Sequence, residues 1–539
     1  MRTISTLSNK CSLISQAVFL SLCVRFQIAE IRTENSTALT TCSLAVASFL
    51  LGAFVPGRGL LAFTLAVPVL SGLAQTGFLN IRLPIEFTYT ALCLGVAGRV
   101  LTRVFYKILH RKSSSALIFG PQRSAHSEAK LIGIKSTDLG ANCLGHIADA
   151  DELGRYPRIA TEYLSAAIII SLTFQCWTHR HSEGLRFALL NQPSLGFSDP
   201  SYFLTASFVW LQGIFYFRLL YSLILTGDEY YYGRRVSKRF LSAYIRLLFV
   251  VYTMTMAVFL SIQFVFGIPE RWTFSGYQSP YEDISSFGSI AVAVFAFYLA
   301  SLTKPFFDNL ILKGIALVVP FSMLVASWSR AAWLTGGLSL FIFAVFRLSR
   351  TCMFSLLATI VAVLALVNAS ANLPLWRTQP YLSRLVTLVR FENPANKSVE
   401  RINLYKKASK MVSTRPLIGY GIGSFYLKSV EFGKADDLYR AKPDFSHNFF
   451  LQIAAELGVP VAILFLSLIA YAISKGFMVS GEFRLQTGCR LNLNRLACPL
   501  TFGLAAYLLT QMTANSLNVY VSHQLFFWFL ILAVIATGD

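Results

Sequence analysis

Residues 446–466 read SHNFFLQIAAELGVPVAILFL, a histidine and an asparagine set at the threshold of a long apolar run. A helix needs about 17–25 apolar residues to cross the hydrocarbon core of a bilayer. Runs of that kind recur near residues 11–29, where Arg25 interrupts, 37–55, 59–80, 84–105, 160–176, 201–225, 241–267, 289–303, 309–327, 331–347, 352–369, 448–474, 496–515 and 522–537. Lipid cannot hydrogen-bond backbone groups, so these runs must be helices. Composition agrees. The 539 residues are 55% hydrophobic and 14% charged, with a mean hydropathy of +0.57, whereas a soluble chain is about one quarter charged. The predicted fold is all-α, a polytopic transmembrane bundle of 12–14 helices with one long, partly helical loop on its outward face.

The predicted organisation has N-terminal helices in 1–105, a polar cytoplasmic segment in 106–158, central helices in 159–369, the large outward loop in 370–446 and C-terminal helices in 447–539. Met1-Arg2 opens a polar stretch with no small-residue cleavage site after the first apolar run, so that helix is expected to be retained. The nine cysteines fall mostly in apolar segments or in loops assigned to the cytoplasm, none of them in 370–446, and no CxxC spacing occurs. Neither a disulfide framework nor a zinc site is expected from that pattern.

Orientation follows from the basic residues of short loops, which stay on the cytoplasmic side. Loop 226–240 carries Arg234, Arg235, Lys238 and Arg239, loop 347–351 carries Arg347 and Arg350, and loop 475–495 carries Lys475, Arg484, Arg490 and Arg495. The basic segment 106–158 alternates with them in the same sense. One orientation satisfies all four, with both termini inside and loops 177–200, 268–288, 328–331 and 370–446 outside. Much of the formal charge of +21 is therefore ordinary inside-positive anchoring. Loop 370–446 differs, with thirteen Lys or Arg against six acids, a net +7 on the outward side. That charge suits either an anionic ligand at the membrane surface, such as a lipid diphosphate, or anionic headgroups; nothing in it suggests nucleic acid.

Within the loop, SVERINLYKKASKMV (398–412) spaces Val399, Ile402, Tyr405, Ala408 and Val412 by three or four. This predicts an amphipathic helix ending before Pro416 that lies on the membrane or packs on the bundle. Lys397, Arg401 and Tyr405 share one flank of it. RPLIGYGIGSF (415–425) follows, with Gly419, Gly421 and Gly423 alternating. These glycines make a turn whose consecutive amides could also approach a phosphate, although the spacing is not that of a P-loop. Asn448 is a good helix cap and His447 could simply snorkel at the boundary. Arg330, between Trp328 and Trp333, could be an interfacial anchor. Yet Arg330, Arg401 and His447, far apart in the chain, are all assigned to the outward face.

Three segments together, SRAAWL, SVERINLYKKASKMVSTRPLIGYGIGSF and SHNFFLQIAAELGVP, resemble in order and spacing the O-antigen ligase and polymerase family of bacterial envelope-glycan enzymes. The matching residues are Ser329-Arg330, Glu400-Arg401, Pro416 to Gly423, and His447, Asn448 and Leu451, and the resemblance covers about 315–537. The chain departs from the pattern after Glu456-Leu457-Gly458, where Val459-Pro460-Val461 stands in place of a further glycine.

The resemblance implies a multi-pass protein of the bacterial inner membrane that moves a glycan from a polyprenyl (undecaprenyl) diphosphate carrier to an acceptor hydroxyl at the periplasmic face. Glycan or lipid A-core would be the acceptor in O-antigen or exopolysaccharide assembly, and membrane lipids the surroundings. Residue chemistry fits this. Arg330 and Arg401 suit the developing charge of a leaving diphosphate, and His447, of reference pKa near 6.5, suits removal of the acceptor proton. Asn448, Lys397, Tyr405, Arg415, Gly421 and Gly423 are the candidate substrate-binding residues. Asp436-Asp437 is adjacent rather than spaced as a DxD pair, so neither metal nor other cofactor is expected. Protein O-oligosaccharyltransferase is an alternative within the same chemistry. A multispanning anion or solute transporter using Glu86, Arg99 and Arg218 is a rival of another class, as is an envelope scaffold.

Overall fold

The computed structural model describes residues 56–75, 140–178, 202–221, 238–266, 284–302, 310–327, 329–347, 397–432, 445–479, 497–514 and 521–538, with isolated positions between them. The described residues are helical almost throughout, with no strand among them. The predicted runs at 11–29, 37–55, 84–105 and 352–369 lie outside these residues apart from isolated positions, as do Glu86, Arg99 and Trp328.

The helices are α1 (Pro56–Gln75), α2 (Gly140–Thr178), α3 (Tyr202–Tyr221), α4 (Lys238–Phe266), α5 (Ile284–Ser301), α6 (Leu310–Ala326), α7 (Arg330–Arg347), α8 (Lys397–Thr414), the short α9 (Phe425–Lys428), α10 (Phe449–Leu457), α11 (Val459–Val479), α12 (Ala497–Gln511) and α13 (Val521–Gly538). A 3₁₀ turn, Ser429–Phe432, follows α9. Four helices hold spans long and apolar enough to cross a membrane, Tyr156–Thr178, Tyr202–Tyr221, Phe240–Val258 and Val459–Met478. Shorter apolar helices accompany them, among them Ser286–Ser301, Arg330–Val345 and Ser522–Thr537.

Residue pattern decides which helices are central. α5 and α13 are apolar on every side and buried on every side. α5 lies against α12 at small residues: a Cβ on Gly503 would stand 3.0 Å from the Ala293 carbonyl oxygen, the close approach typical of helices packed without a hydrophobic driving force. Outer helices instead carry apolar stripes on their exposed side. Leu334, Leu338, Phe341 and Val345 of α7 are exposed at spacings of three and four, and Tyr163, Ile170, Phe174 and Trp177 form a similar stripe on α2. Continuous apolar stripes facing outward are what lipid contact requires and what water penalises.

Two boundaries differ from the sequence reading. α2 is continuous from Gly140, so the last part of segment 106–158 runs as one helix with the span that follows, and 39 residues make about 58 Å, longer than the hydrocarbon core. The run expected at 448–474 is two helices, broken at Gly458, whose φ of +89° a side chain would rarely adopt. The span is α11 alone, and α10 is a separate short helix at its entrance.

Among charges proposed for an anion pathway, Arg218 of α3 meets Glu162 of α2 at 3.1 Å, and Arg158 approaches the same carboxylate at 3.6 Å. Arg218 is thus an interhelical tie.

Candidate functional site

Asn448 is the N-cap of α10: its Oδ1 accepts from the Leu451 amide at 3.0 Å, satisfying one of the donors a helix start leaves open. Before it, His447 is half-buried with a left-handed φ of +51°, the one non-glycine residue with positive φ among the described residues. That conformation costs a side chain about 1 kcal/mol and persists where its surroundings hold it. Ser446 supplies much of the hold. Its Oγ accepts from the Asn448 amide at 3.1 Å and donates to the Asn448 carbonyl at 2.7 Å, bracketing His447.

Below lies a ladder of polar side chains one helical turn apart. Gln452 Oε1 accepts from the Ser446 amide at 3.3 Å and from its hydroxyl at 3.2 Å, while Gln452 Nε2 donates to Glu456 Oε1 at 2.9 Å. Glu456 is buried and accepts two more bonds, from the Gly423 amide to Oε2 at 2.8 Å and from the Phe425 amide to Oε1 at 3.2 Å. Burial pushes its carboxyl up to about 7, against the opposing pull of the Gly423, Gln452 and Phe425 donors.

The glycine turn is therefore accounted for by the protein itself. The Gly419 amide donates to Arg415 O, Tyr420 to Ala455 O, Gly421 to Glu456 O, Ile422 to Ser171 Oγ and Ser424 to Gly421 O, and those of Gly423 and Phe425 go to the Glu456 carboxylate. All seven amides from 419 to 425 have partners within the protein, which gives Gly421 and Gly423 a packing role. The amides do hold an anion, but it is Glu456. Positive φ values of 63°, 101° and 71° and tight neighbours explain the glycines: a Cβ on Gly423 would sit 2.9 Å from Phe203 Cα, and one on Gly421 would overlap Gln175, whose amide donates to Ile422 O at 2.7 Å.

α8 packs on α10 through Ala408, Met411 and Ala455, joined by Phe425. Its buried stripe is Leu404, Lys407, Ala408 and Met411, rotated from the predicted one, and Ile402 is exposed. Tyr405 makes long hydrogen bonds to the carbonyls of His447, at 3.4 Å, and of Met512 at the end of α12, at 3.3 Å. Burial raises the Tyr405 phenol, and the positive charge of Arg401, one turn earlier and half-exposed, offsets part of that rise.

Arg330 opens α7 behind Ser329, whose Oγ accepts from the Ala332 amide at 3.4 Å. This corner presses on α5, where a Cβ at Gly288 would lie 2.8 Å from both Ser329 and Ala332. The next residue, Ser289, accepts from Thr510 Oγ1 at 2.8 Å and from Gln511 Nε2 at 3.2 Å, one and two residues before Met512. Arg330, Arg401, Tyr405, His447 and Asn448 thus belong to one end of the bundle, linked through α5, α12 and α8. Arg415 is set apart: fourteen residues beyond Arg401, about 20 Å along a helix, it is exposed and its guanidinium stacks 4.6 Å over the Tyr420 ring. Lys397 begins α8 one turn before Arg401, and its side chain lies outside the described residues.

Residues 315–466, which contain every element of this arrangement from Arg330 to Glu456, match the family model described as O-antigen ligase. The match spans less than a third of the chain. The match ends at 466, short of the 537 expected, so α12 and α13 lie beyond it. No curated protein matches the chain. A segment similar to O-antigen ligases within a helical membrane protein supports a role in polysaccharide assembly.

Glu456 and Gln452 are what sequence reasoning missed in the matched segment. A signal was present, since Asn448, Gln452 and Glu456 stand four residues apart, a polar stripe on an otherwise apolar run. Lys407, counted with the surface charges, is buried.

Proposed function

We propose that the chain transfers an oligo- or polysaccharide from a polyprenyl diphosphate carrier to an acceptor hydroxyl at the periplasmic face of the bacterial inner membrane. The observation that carries this reading is the grouping of Arg330, Arg401 and His447 at one end of the bundle inside the segment that matches O-antigen ligases. Loop charge supports the side: α3 ends at Tyr221 and α11 at Val479, at the end away from His447, and the sequence that follows each of them is basic, as expected of short cytoplasmic loops.

In the proposed step the acceptor oxygen attacks the anomeric carbon, the bond from that carbon to the phosphate oxygen breaks, and the carrier leaves as its diphosphate. His447 takes the acceptor proton. Arg401 and Arg330 hold the leaving diphosphate, each able to offer two donors to a phosphate. Loss of one such donor costs about 10²–10³ in rate. No step calls for a metal.

The test is the envelope polysaccharide of a deletion strain carrying the wild-type or an altered gene. Arg401→Ala and His447→Ala, present in the membrane at wild-type level, are expected to give the pattern of the deletion; normal polymer from both rejects the reading. The deletion pattern also separates the subclasses: single repeats indicate a polymerase, long carrier-linked chains a ligase, and an unmodified glycoprotein the protein-directed enzyme.

A further inference from the structure

We propose that Glu456 is a positioning residue for His447, acting through Gln452 and Ser446, and that it locks the glycine turn and the histidine into one unit. The inference rests on the reading of His447 given above.

Three observations carry it. The first is directionality. Glu456 presents two acceptor oxygens to three donors, the Gly423 amide, the Phe425 amide and Gln452 Nε2. Because Gln452 must donate downward, its single acceptor, Oε1, is turned upward, where it meets both the amide and the hydroxyl of Ser446. With its hydroxyl proton free to turn, Ser446 Oγ brackets His447 by bonding the amide and carbonyl of Asn448. Reversing the Gln452 amide would set its NH₂ against the donors of Ser446, so the carboxylate at the bottom fixes the polarity of the whole ladder.

The second is burial. Ser446, Gln452 and Glu456 are all at most 3% exposed, where water does not compete and an unmatched donor is costly. The third is where strain sits. His447 holds a left-handed φ that its residue type adopts uncommonly, and the segment on either side of it is held by the ladder and the cap. His447 has the further long bond from Tyr405 at its carbonyl, so the ladder fixes it from below and α8 from the side.

The glycine turn enters through the same carboxylate. Gly423 and Phe425 bond its two oxygens, and α2 grips the turn from the other side through Ser171 and Gln175. A change at Glu456 is therefore felt both in 419–425 and in 446–448, two segments more than twenty residues apart in the chain.

The experiment uses the full chain in membranes of a deletion strain, with the host's own carrier-linked glycan as donor. Turnover is divided by the amount of folded protein measured by size exclusion. Four alterations are compared: His447→Ala, Gln452→Ala, Glu456→Ala and the exchange Gln452→Glu with Glu456→Gln. A displacement of about 1 Å at a reacting group costs on the order of 10²-fold, so turnover per folded molecule is expected to fall about a hundredfold in Gln452→Ala and Glu456→Ala. The exchange keeps a donor and an acceptor between positions 452 and 456, an acceptor toward Ser446 and an acceptor for the Gly423 amide, but turns an NH₂ toward the Phe425 amide, so it is expected to recover about tenfold over Glu456→Ala and to stay below wild type. A role limited to folding predicts fewer folded molecules, each of normal turnover, and no rescue by the exchange. Wild-type turnover in Gln452→Ala and Glu456→Ala beside an inactive His447→Ala overturns the positioning role alone; wild-type turnover in His447→Ala overturns the catalytic reading and the positioning role with it.

Discussion

Gly419→Ala tests whether the glycine turn is built for packing. Gly419 has a φ of +63°, which costs alanine about 1–2 kcal/mol. Its added Cβ would overlap the carbonyl of Glu456 and stand 2.8 Å from the Gly458 amide nitrogen, all backbone atoms of a helix end that cannot turn aside as a side chain can. Moving the Glu456 carbonyl weakens its 2.8 Å bond from Gly421, and the 3.0 Å bond from Tyr420 to Ala455 moves with it, each worth about 1 kcal/mol. The total is about 3–4 kcal/mol, a large part of the 5–15 kcal/mol typical of folded proteins. Gly337→Ala in α7 is the internal control, because nothing lies within 4 Å of its Cβ position and alanine favours a helix over glycine by about 1 kcal/mol. The assay is the midpoint of unfolding of the purified full chain on titration with a denaturing detergent. Gly419→Ala is expected to lower the midpoint strongly and Gly337→Ala to leave it unchanged or raise it. Equal midpoints for the two variants refute the packing account of the turn.

Other consequences concern single contacts. Since Glu456 releases its proton near 4.5 when unfolded and about 7 when folded, its burial favours the native state most below pH 4.5. That contribution declines as pH rises from 4.5 to 7 and is flat above; the change is about 3 kcal/mol, and Glu456→Gln should remove this slope from unfolding curves measured across pH. Glu162→Ala removes the 3.1 Å carboxylate contact of Arg218 and is expected to destabilise the chain by about 1–2 kcal/mol, whereas Glu162→Leu with Arg218→Met recovers stability and keeps glycan transfer; loss of transfer in that stable pair would return Arg218 to a functional role. Asn448→Asp keeps an N-cap acceptor and should retain activity, while Asn448→Ala should lower stability by about 1 kcal/mol, and an Asn448→Asp protein that is stable but inactive would show that the amide meets substrate.

The helical membrane architecture was legible because lipid leaves the backbone no alternative to helices; ten of the predicted runs coincide with helices of the described residues. The break at Gly458 was not legible. The apolar run passes through it unbroken, and only the approach of the 417–418 backbone explains why a positive φ is needed there. Similarly, α8 was visible from its period, but its buried stripe is set by what α10 and the glycine turn offer it, which brought Leu404 and Lys407 inside and left Ile402 outside. For the site, Arg330, Arg401 and His447 could be chosen by residue type and face. Glu456 was passed over because the polar stripe it forms with Asn448 and Gln452 gives no sign of the carboxylate's other partners, backbone amides more than thirty residues earlier.

The central claim is transfer from a carrier diphosphate by His447 with Arg401. The most direct measurement places the purified full chain in liposomes with carrier-linked glycan and acceptor extracted from its host, and follows glycan transferred and carrier diphosphate released in the same sample. Wild type is expected to release one carrier for each glycan transferred, with His447→Ala and Arg401→Ala doing neither. Transfer by His447→Ala at the wild-type rate, or glycan taken up into the lumen without release of carrier, contradicts it.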